Sequence, residues 1–249
     1  MSTRKSKPIR SELGWSTPDK IVVRGKDLPG EILGHLNLGD MAFLELTGRT
    51  PNPAESKLFN AMVVTLVEHG ITPSALAARL TYLGAPEALQ AAVAAGLCGL
   101  GSVFVGSTEG CARLLFDSLK DNADVPATAK KIVAENKRIP GLGHPIHKPI
   151  DPRTVRLFEI ARETGFYGNY CRLIEEIARL KGITLNATGA IGALSCELAL
   201  DWRAVKGLGV MARAVGLVGH LLEESRQPMA EEIWMRMEEE ASQHLKPKK

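Results

Sequence analysis

The stretch Pro140-Gly-Leu-Gly-His-Pro-Ile-His-Lys-Pro-Ile-Asp-Pro-Arg153 is the least ordinary segment of this 249-residue chain. Its prolines forbid a helix, and its Gly-x-Gly turn lets backbone approach a ligand closely just before His144. Taken alone, such a turn is most simply a tight connection between helices. It follows a helical pattern and not a strand, which removes the dinucleotide-binding reading of paired glycines. Charge adds a second signal. Between residues 130 and 156, seven basic side chains face Glu135 and Asp151, so the window carries +5 in a chain whose total is +3. The bland alternative is a solvated cationic face; beside a Gly-x-Gly-His turn, an anionic ligand is the sharper expectation.

On both sides of this loop the apolar residues recur at three- and four-residue spacing. Helices are expected from Leu38 to Thr47, from Pro53 to about His69, after Thr72-Pro73, after Ala85-Pro86, and from Ser107 or Thr108, as cap, to Leu119. Others follow at Val125 to about Lys137, Pro152 to Glu163, Asn169 to Lys181, Ala187 to Leu200, Arg203 to Glu224, and after Pro228. Lys20 to Arg24 is the one segment that reads as a strand, and the basic tail through about residue 10 reads as disordered. Roughly ten helices with short connections exceed a four-helix bundle, so a mostly α globular array, in one lobe or two, is expected.

Composition excludes several classes. With 45% apolar and 24% charged residues and a net charge of +3, the chain is an ordinary globular protein without the charge of a nucleic-acid binder. Four cysteines without a C-x-x-C pair argue against a disulfide scaffold and for a cytoplasmic location. No uninterrupted apolar run approaches the ~20 residues of a membrane span, and no secretory leader is recognisable. His144 and His147 are spaced like a metal pair, but Pro145 lies between them and no third ligand adjoins them, so no metal is expected.

Gly141-Leu-Gly-His144 followed by Asp-Pro-Arg153 resembles the Gly-x-Gly-His…Asp-Pro-Arg signature of the citrate synthase superfamily. Glu68-His69-Gly70 is similar to that superfamily's Asp-His-Glu/Gly motif, Asn186-Ala-Thr188 to its Asn-Val-Asp motif, and Met211-Ala-Arg213 to its C-terminal arginine helix. The motifs keep their order across about residues 38 to 235. Phe104 stands where synthases carry a histidine, and Gly216 to Arg226 looks like the end of the citryl-CoA lyase branch, which includes the C-terminal module of ATP-citrate lyase. The resemblance implies a citrate-synthase-like, two-lobed helical fold lacking the extra N-terminal helices of citrate synthase. It implies a large lobe from residues 1–105 and 200–249, and a small lobe from 106–199.

The same resemblance implies a site. His69, His144, Arg153 and Arg213 would hold the oxaloacetate unit, with Arg226 contributed more loosely, across a homodimer interface. A dicarboxylate suits two guanidinium forks from separate elements. His144 would act at the substrate oxygen as base or hydrogen-bond donor, and His69 would polarise the same unit. Ile139, Gly141, Leu142, Gly143 and Lys148 would receive coenzyme A, which enters as part of the substrate; no tightly bound cofactor is expected. The departure is Thr188, at the position of the superfamily's catalytic aspartate. A hydroxyl does not ionise near neutrality, and loss of a general acid or base typically costs ~10²–10⁴ in rate. Three activities are therefore weighed: a lyase cleaving citryl-CoA or a related 3-hydroxy-3-carboxyacyl-CoA, a weakly active or inactive CoA-ester-binding protein, and a condensing enzyme of the citrate synthase type. The partners implied are a CoA thioester, oxaloacetate and a second copy of the chain, without nucleic acid or membrane.

Overall fold

A computed structural model describes residues 8–119 and 124–246. Most of the expected disordered tail, residues 1–7, lies outside them. The chain forms two compact units, residues 1–60 and 61–249. The first opens with three short antiparallel strands, β1 (Gly14–Ser16), β2 (Ile21–Val23) and β3 (Lys26–Asp27), in the order β1-β2-β3. Sequence had offered one strand here; the flanking pair are too short to carry a period of two. A single wide helical turn, Leu28–Ile32, leads to α1 (Leu38–Thr47), which Asn37 caps through Asp40 N at 2.8 Å and Gly48 ends in the left-handed conformation. Phe43 and Phe59 meet edge to face at 5.3 Å in the core of this unit.

Helix α2 (Pro53–Val67) begins in the first unit and ends in the second. It stops two residues short of His69, because Glu68 turns back and its Oε1 accepts the amides of His69 and Gly70. The rest comprises α3 (Pro73–Gly84), α4 (Leu89–Cys98), α5 (Gly106–Ser118), α6 (Val125–Glu135), α7 (Pro152–Thr164), α8 (Asn169–Lys181), α9 (Ala187–Glu197), α10 (Trp202–Arg226) and α11 (Ala230–Ser242). Thr72, Asp124, Asp151, Asn186 and Asp201 each cap the helix that follows, which is why the expected starts fall close to the observed ones. The exception is α5. Ser107 and Thr108 do not cap it, because the chain runs into it directly from a wide turn at Gly101–Val105, placing both residues inside the first turn.

Within residues 61–249 the helices pack as two groups. Helices α3, α4 and α10 share the core of Ala78, Ala92, Leu217 and Leu221, with α11 against α3. Helices α5, α7 and α8 pack on α9, which is buried from Gly189 through Cys196, α6 packs on α8, and α10 touches both groups. Glu197, at the end of α9, accepts the amides of Tyr170 and Cys171 and so caps α8, whose own N-cap is a glycine. Helix α10 has the length and apolarity of a membrane-crossing segment, but half of that stretch is buried and it carries the buried polar residues Arg213, His220 and Glu224, as a core helix does. All four cysteines are free thiols, three of them buried.

Candidate active site

The Gly-x-Gly-His loop is fastened to the start of α9. Gly141 adopts φ +88°, and a Cβ there would lie 2.4 Å from the Cα of Gly189, so no other residue fits. Asn186 N donates to Gly141 O at 3.0 Å, Gly143 N to Thr184 O at 2.7 Å, and Asn186 Nδ2 to Gly143 O at 2.6 Å. The loop that carries His144 is therefore a rigid ledge on the N-terminus of α9.

The loop's far end is equally fixed. Asp151 is fully buried; it caps α7, accepts from Arg153 Nε at 3.0 Å and Nη2 at 2.8 Å, and takes the amide of Ala187 at 3.1 Å. Burial alone would raise its pKa, but the guanidinium and the two amides hold the carboxyl below its ordinary range. Asp-Pro-Arg thus reads as carboxylate, helix start and aimed arginine in three consecutive residues.

His144 has its tautomer set by the same loop. Its Nδ1 accepts the amides of Ile146 at 3.1 Å and His147 at 2.9 Å, which leaves the proton of the neutral ring on Nε2. Burial, followed by the charge of Arg153, pushes the pKa of His144 below its ordinary value, favouring that neutral form. Arg153 Nη2 lies 3.2 Å from His144 Nε2. With the ring proton on Nε2, as the two amides on Nδ1 require, both atoms are donors, and an oxygen received between them would relieve the contact.

That place opens on a cavity of about 570 Å³ lined by His69, His144, Arg153, Thr188 and Arg213, with an apolar wall that includes Ile71, Val103, Phe104 and Ile146. Among the described residues, five buried side-chain polar atoms lack a hydrogen-bond partner: Arg24 Nε, Ser74 Oγ, Thr108 Oγ1, and Nε and Nη1 of Arg213. All but the first belong to residues lining this cavity. A buried donor without a partner costs roughly 1–3 kcal/mol, and more when charged, so their concentration in one cavity points to a ligand that completes them. Burial lowers the pKa of Arg213, and the nearby charge of Glu68 works against that shift.

The fold brings His69, His144, Arg153, Thr188 and Arg213 together. Of the five residues expected to meet coenzyme A, only Gly143 lines the cavity; Ile139 is buried, and Gly141, Leu142 and Lys148 lie outside the lining. Arg226, the last residue of α10, also lies outside it. Thr188 donates to Asn186 Oδ1 at 2.7 Å and accepts from Ser107 Oγ at 3.0 Å, so its hydroxyl is held within the fold. Ser74 is not singled out by the sequence, which offers Ser107 or Thr108 only as a helix cap and Asp151 only as an acid of Asp-Pro-Arg, none of them as a site residue. Asp151 had a signal, as the residue before a helix-starting proline; the others are small polar residues inside helices and had none.

The sequence offered no third ligand beside His144 and His147, but the fold supplies one: ligand atoms of His69, His144 and His147 lie within 4.8 Å of one another. The chemistry of the set still fits an oxygen anion better than a cation. Both nitrogens of His144 are committed, one accepting amides and one carrying the proton, and a guanidinium stands beside them.

Comparison with known proteins gives the family and the fold. The citrate synthase C-terminal domain family matches residues 35–236. The structure of citryl-CoA lyase from Hydrogenobacter thermophilus superposes with a TM-score of 0.80 at 36% identity, covering 88% of this chain and 87% of that one. ATP citrate lyase from Methanothrix soehngenii, in complex with citrate and coenzyme A, shares the fold with a TM-score of 0.74 at 22% identity, over 90% of this chain and 40% of its own. A probable ATP-citrate synthase from Dictyostelium discoideum is 26% identical over 245 residues, 90% of this chain and 39% of that protein, so the chain spans well under half the length of such relatives. With the family matched over most of its length, the chain belongs to the citrate synthase superfamily, on the branch of the citryl-CoA lyases.

Proposed function

We propose that the chain is a carbon–carbon lyase that cleaves citryl-CoA, or a related 3-hydroxy-3-carboxyacyl-CoA, to acetyl-CoA, or the corresponding acyl-CoA, and oxaloacetate. The observation that carries this reading is Arg213, buried in the cavity wall with two guanidinium nitrogens lacking a hydrogen-bond partner, in the same cavity as Arg153 and His144. Two fixed cations and an N–H donor suit the two carboxylates and the oxygen of an oxo-dicarboxylate. The apolar wall at Phe104 and Val103 suits the thioester arm.

In this reading Arg213 and Arg153 bind carboxylates, and His144 Nε2–H donates to the tertiary oxygen as it becomes a ketone. The hydroxyl proton passes to His69, which is exposed and can release it to solvent. The electrons of the breaking C–C bond move to the thioester enolate, which takes a proton from water, and the hydroxide left is neutralised by the proton from His69. Thr188 supplies no proton, since its hydroxyl is held by Asn186 and Ser107. The expected small lobe at residues 106–199, the contacts of Ile139 to Gly143 and Lys148 with coenzyme A, the cytoplasmic location and the homodimer belong to the same reading. Half-exposed Trp234, Met235 and Met237 on α11 support a second copy, whose Arg226 would complete the carboxylate site; light scattering that shows a monomer at assay concentration would remove that part.

Thr188 also favours a second reading, a CoA-ester-binding protein with little or no turnover. The two separate in one experiment: oxaloacetate release from citryl-CoA, coupled to NADH oxidation by malate dehydrogenase, run beside calorimetry with the same thioester. Release supports the lyase; binding without release across several related acyl-CoAs supports the binder.

A further inference from the structure

Behind His69 and Arg213 runs a chain of polar side chains that no step above uses. Arg79 on α3 is fully buried. Its Nη1 donates to Glu224 at 2.6 Å, its Nη2 also pairs with Glu223, and its Nε and Nη2 reach His220 Nδ1 at 3.3 and 2.9 Å. A guanidinium only donates, so Nδ1 of His220 is the acceptor and its ring proton sits on Nε2. That proton points to Glu68, 3.1 Å away. Glu68 Oε1 accepts the amides of His69 at 2.8 Å and Gly70 at 2.6 Å, and its charge acts on Arg213. The arrangement depends on α10 passing close to the end of α2: a Cβ on Gly216 would lie 2.1 Å from Val67 O and 3.2 Å from Glu68 Oε2.

We propose that Glu68 and His220 are positioning residues of the site: the Arg79–His220–Glu68 relay fixes the backbone of His69 and sets its distance from Arg213, without either residue touching substrate. The geometry gives the relay a direction. Arg79 dictates the tautomer of His220, His220 orients one carboxylate, and that carboxylate holds the two amides that end α2 at the catalytic histidine. The proposal rests on the lyase reading only where His69 is called catalytic; the placement of His69 itself can be measured without substrate.

The six histidines of the chain give six ring resonances, of which His69 is assigned by its own substitution. In ligand-free protein, His220→Leu should move the His69 resonance, and with it those of His144 and His147, whose rings lie 5.8 and 6.2 Å from His69. His220→Gln should restore the wild-type positions, since a carboxamide can accept from Arg79 and donate to Glu68. Glu68→Ala, at a half-exposed position, should displace His69 in the same sense even if the leucine variant fails to fold. In the coupled assay His220→Leu should raise the KM for citryl-CoA about tenfold, the cost of one charge-assisted contact, and the glutamine variant should recover most of it. A His69 resonance unmoved in Glu68→Ala, or a glutamine variant as displaced as the leucine one, would overturn the proposal. A wild-type protein that releases no oxaloacetate would overturn the lyase reading instead, and the resonances would still decide the relay.

Discussion

Two arginines buried on packed helices of the same unit have opposite surroundings. Arg79 on α3 has no exposed surface, and its guanidinium is met by Glu223, Glu224 and His220. Arg213 on α10 is also buried, but its Nε and Nη1 have no hydrogen-bond partner, and only the nearby charge of Glu68 acts on it. Buried guanidinium donors left without an acceptor are costly, so the first arginine belongs to the fold and the second to a ligand. Substitution should separate these roles cleanly.

Arg79→Met should have the largest effect on stability. It strands the buried Glu224 carboxylate, which also caps the start of α11 through the amides of Met229 and Ala230, and orphaning such a partner costs ~3–5 kcal/mol. Denaturant unfolding should show it; a midpoint within error of wild type would mean that the cluster is not holding α3, α10 and α11. Arg213→Met should do the reverse. It removes a desolvated charge whose donors are unmet, so thermal stability should stay level or rise, while affinity for oxaloacetate measured by calorimetry falls by ~2–4 kcal/mol, about 30- to 1,000-fold. Equal loss of stability and of binding would merge the two arginines into one class.

How much of this contrast is legible in the sequence differs between the two. Arg213 was found because Met-Ala-Arg lies in a recognisable motif, and His69, His144 and Arg153 were found likewise. Arg79 sits in Ala-Ala-Arg-Leu, and nothing in a 3.6-residue period says that it faces inward. Its partners are more than 140 positions away, a separation that no local pattern encodes. The helix starts were readable because capping is local chemistry. The β-ribbon at residues 14–27 was mostly missed because strands of two or three residues carry too little alternation, and the start of α5 was misread because a helix entered from a wide turn has no capping side chain. The tautomer of His144 was invisible for another reason: it is set by the direction of two backbone amides.

Thr188 tests a subtler aspect of the same comparison, a polar group engaged by the fold where the superfamily places one for chemistry. Thr188→Asp should raise lyase turnover, by up to ~10²-fold, because a carboxyl group can protonate the enolate that water otherwise serves. Unchanged or lower turnover in the folded variant would count against that assignment. Thr188→Val should cost only ~1 kcal/mol of stability, through the lost bonds to Asn186 and Ser107, with turnover nearly unchanged.

The smallest effect concerns pH. The pKa of His144 is lowered in the fold below the ~6.5 of the unfolded chain, so between those values the unfolded state takes up a proton that the native state refuses. Stability from this group is therefore intact above pH ~6.5 and declines as pH falls through that value toward the folded pKa. The neutral Nε2–H donor persists across the same window, so the acid limb of kcat/KM attributable to His144 should lie below pH 6.5; a limb centred above 6.5 and abolished by His144→Asn would contradict the lowered pKa.

The central claim is that the unpartnered guanidinium of Arg213 awaits a carboxylate of a citryl-type thioester. The most direct measurement is oxaloacetate release from citryl-CoA by the wild-type chain and by Arg213→Met at matched folded concentration. Expected are release by the wild type and at least a hundredfold lower kcat/KM in a variant as stable as the wild type. No release by either protein, or equal rates from both, would contradict it.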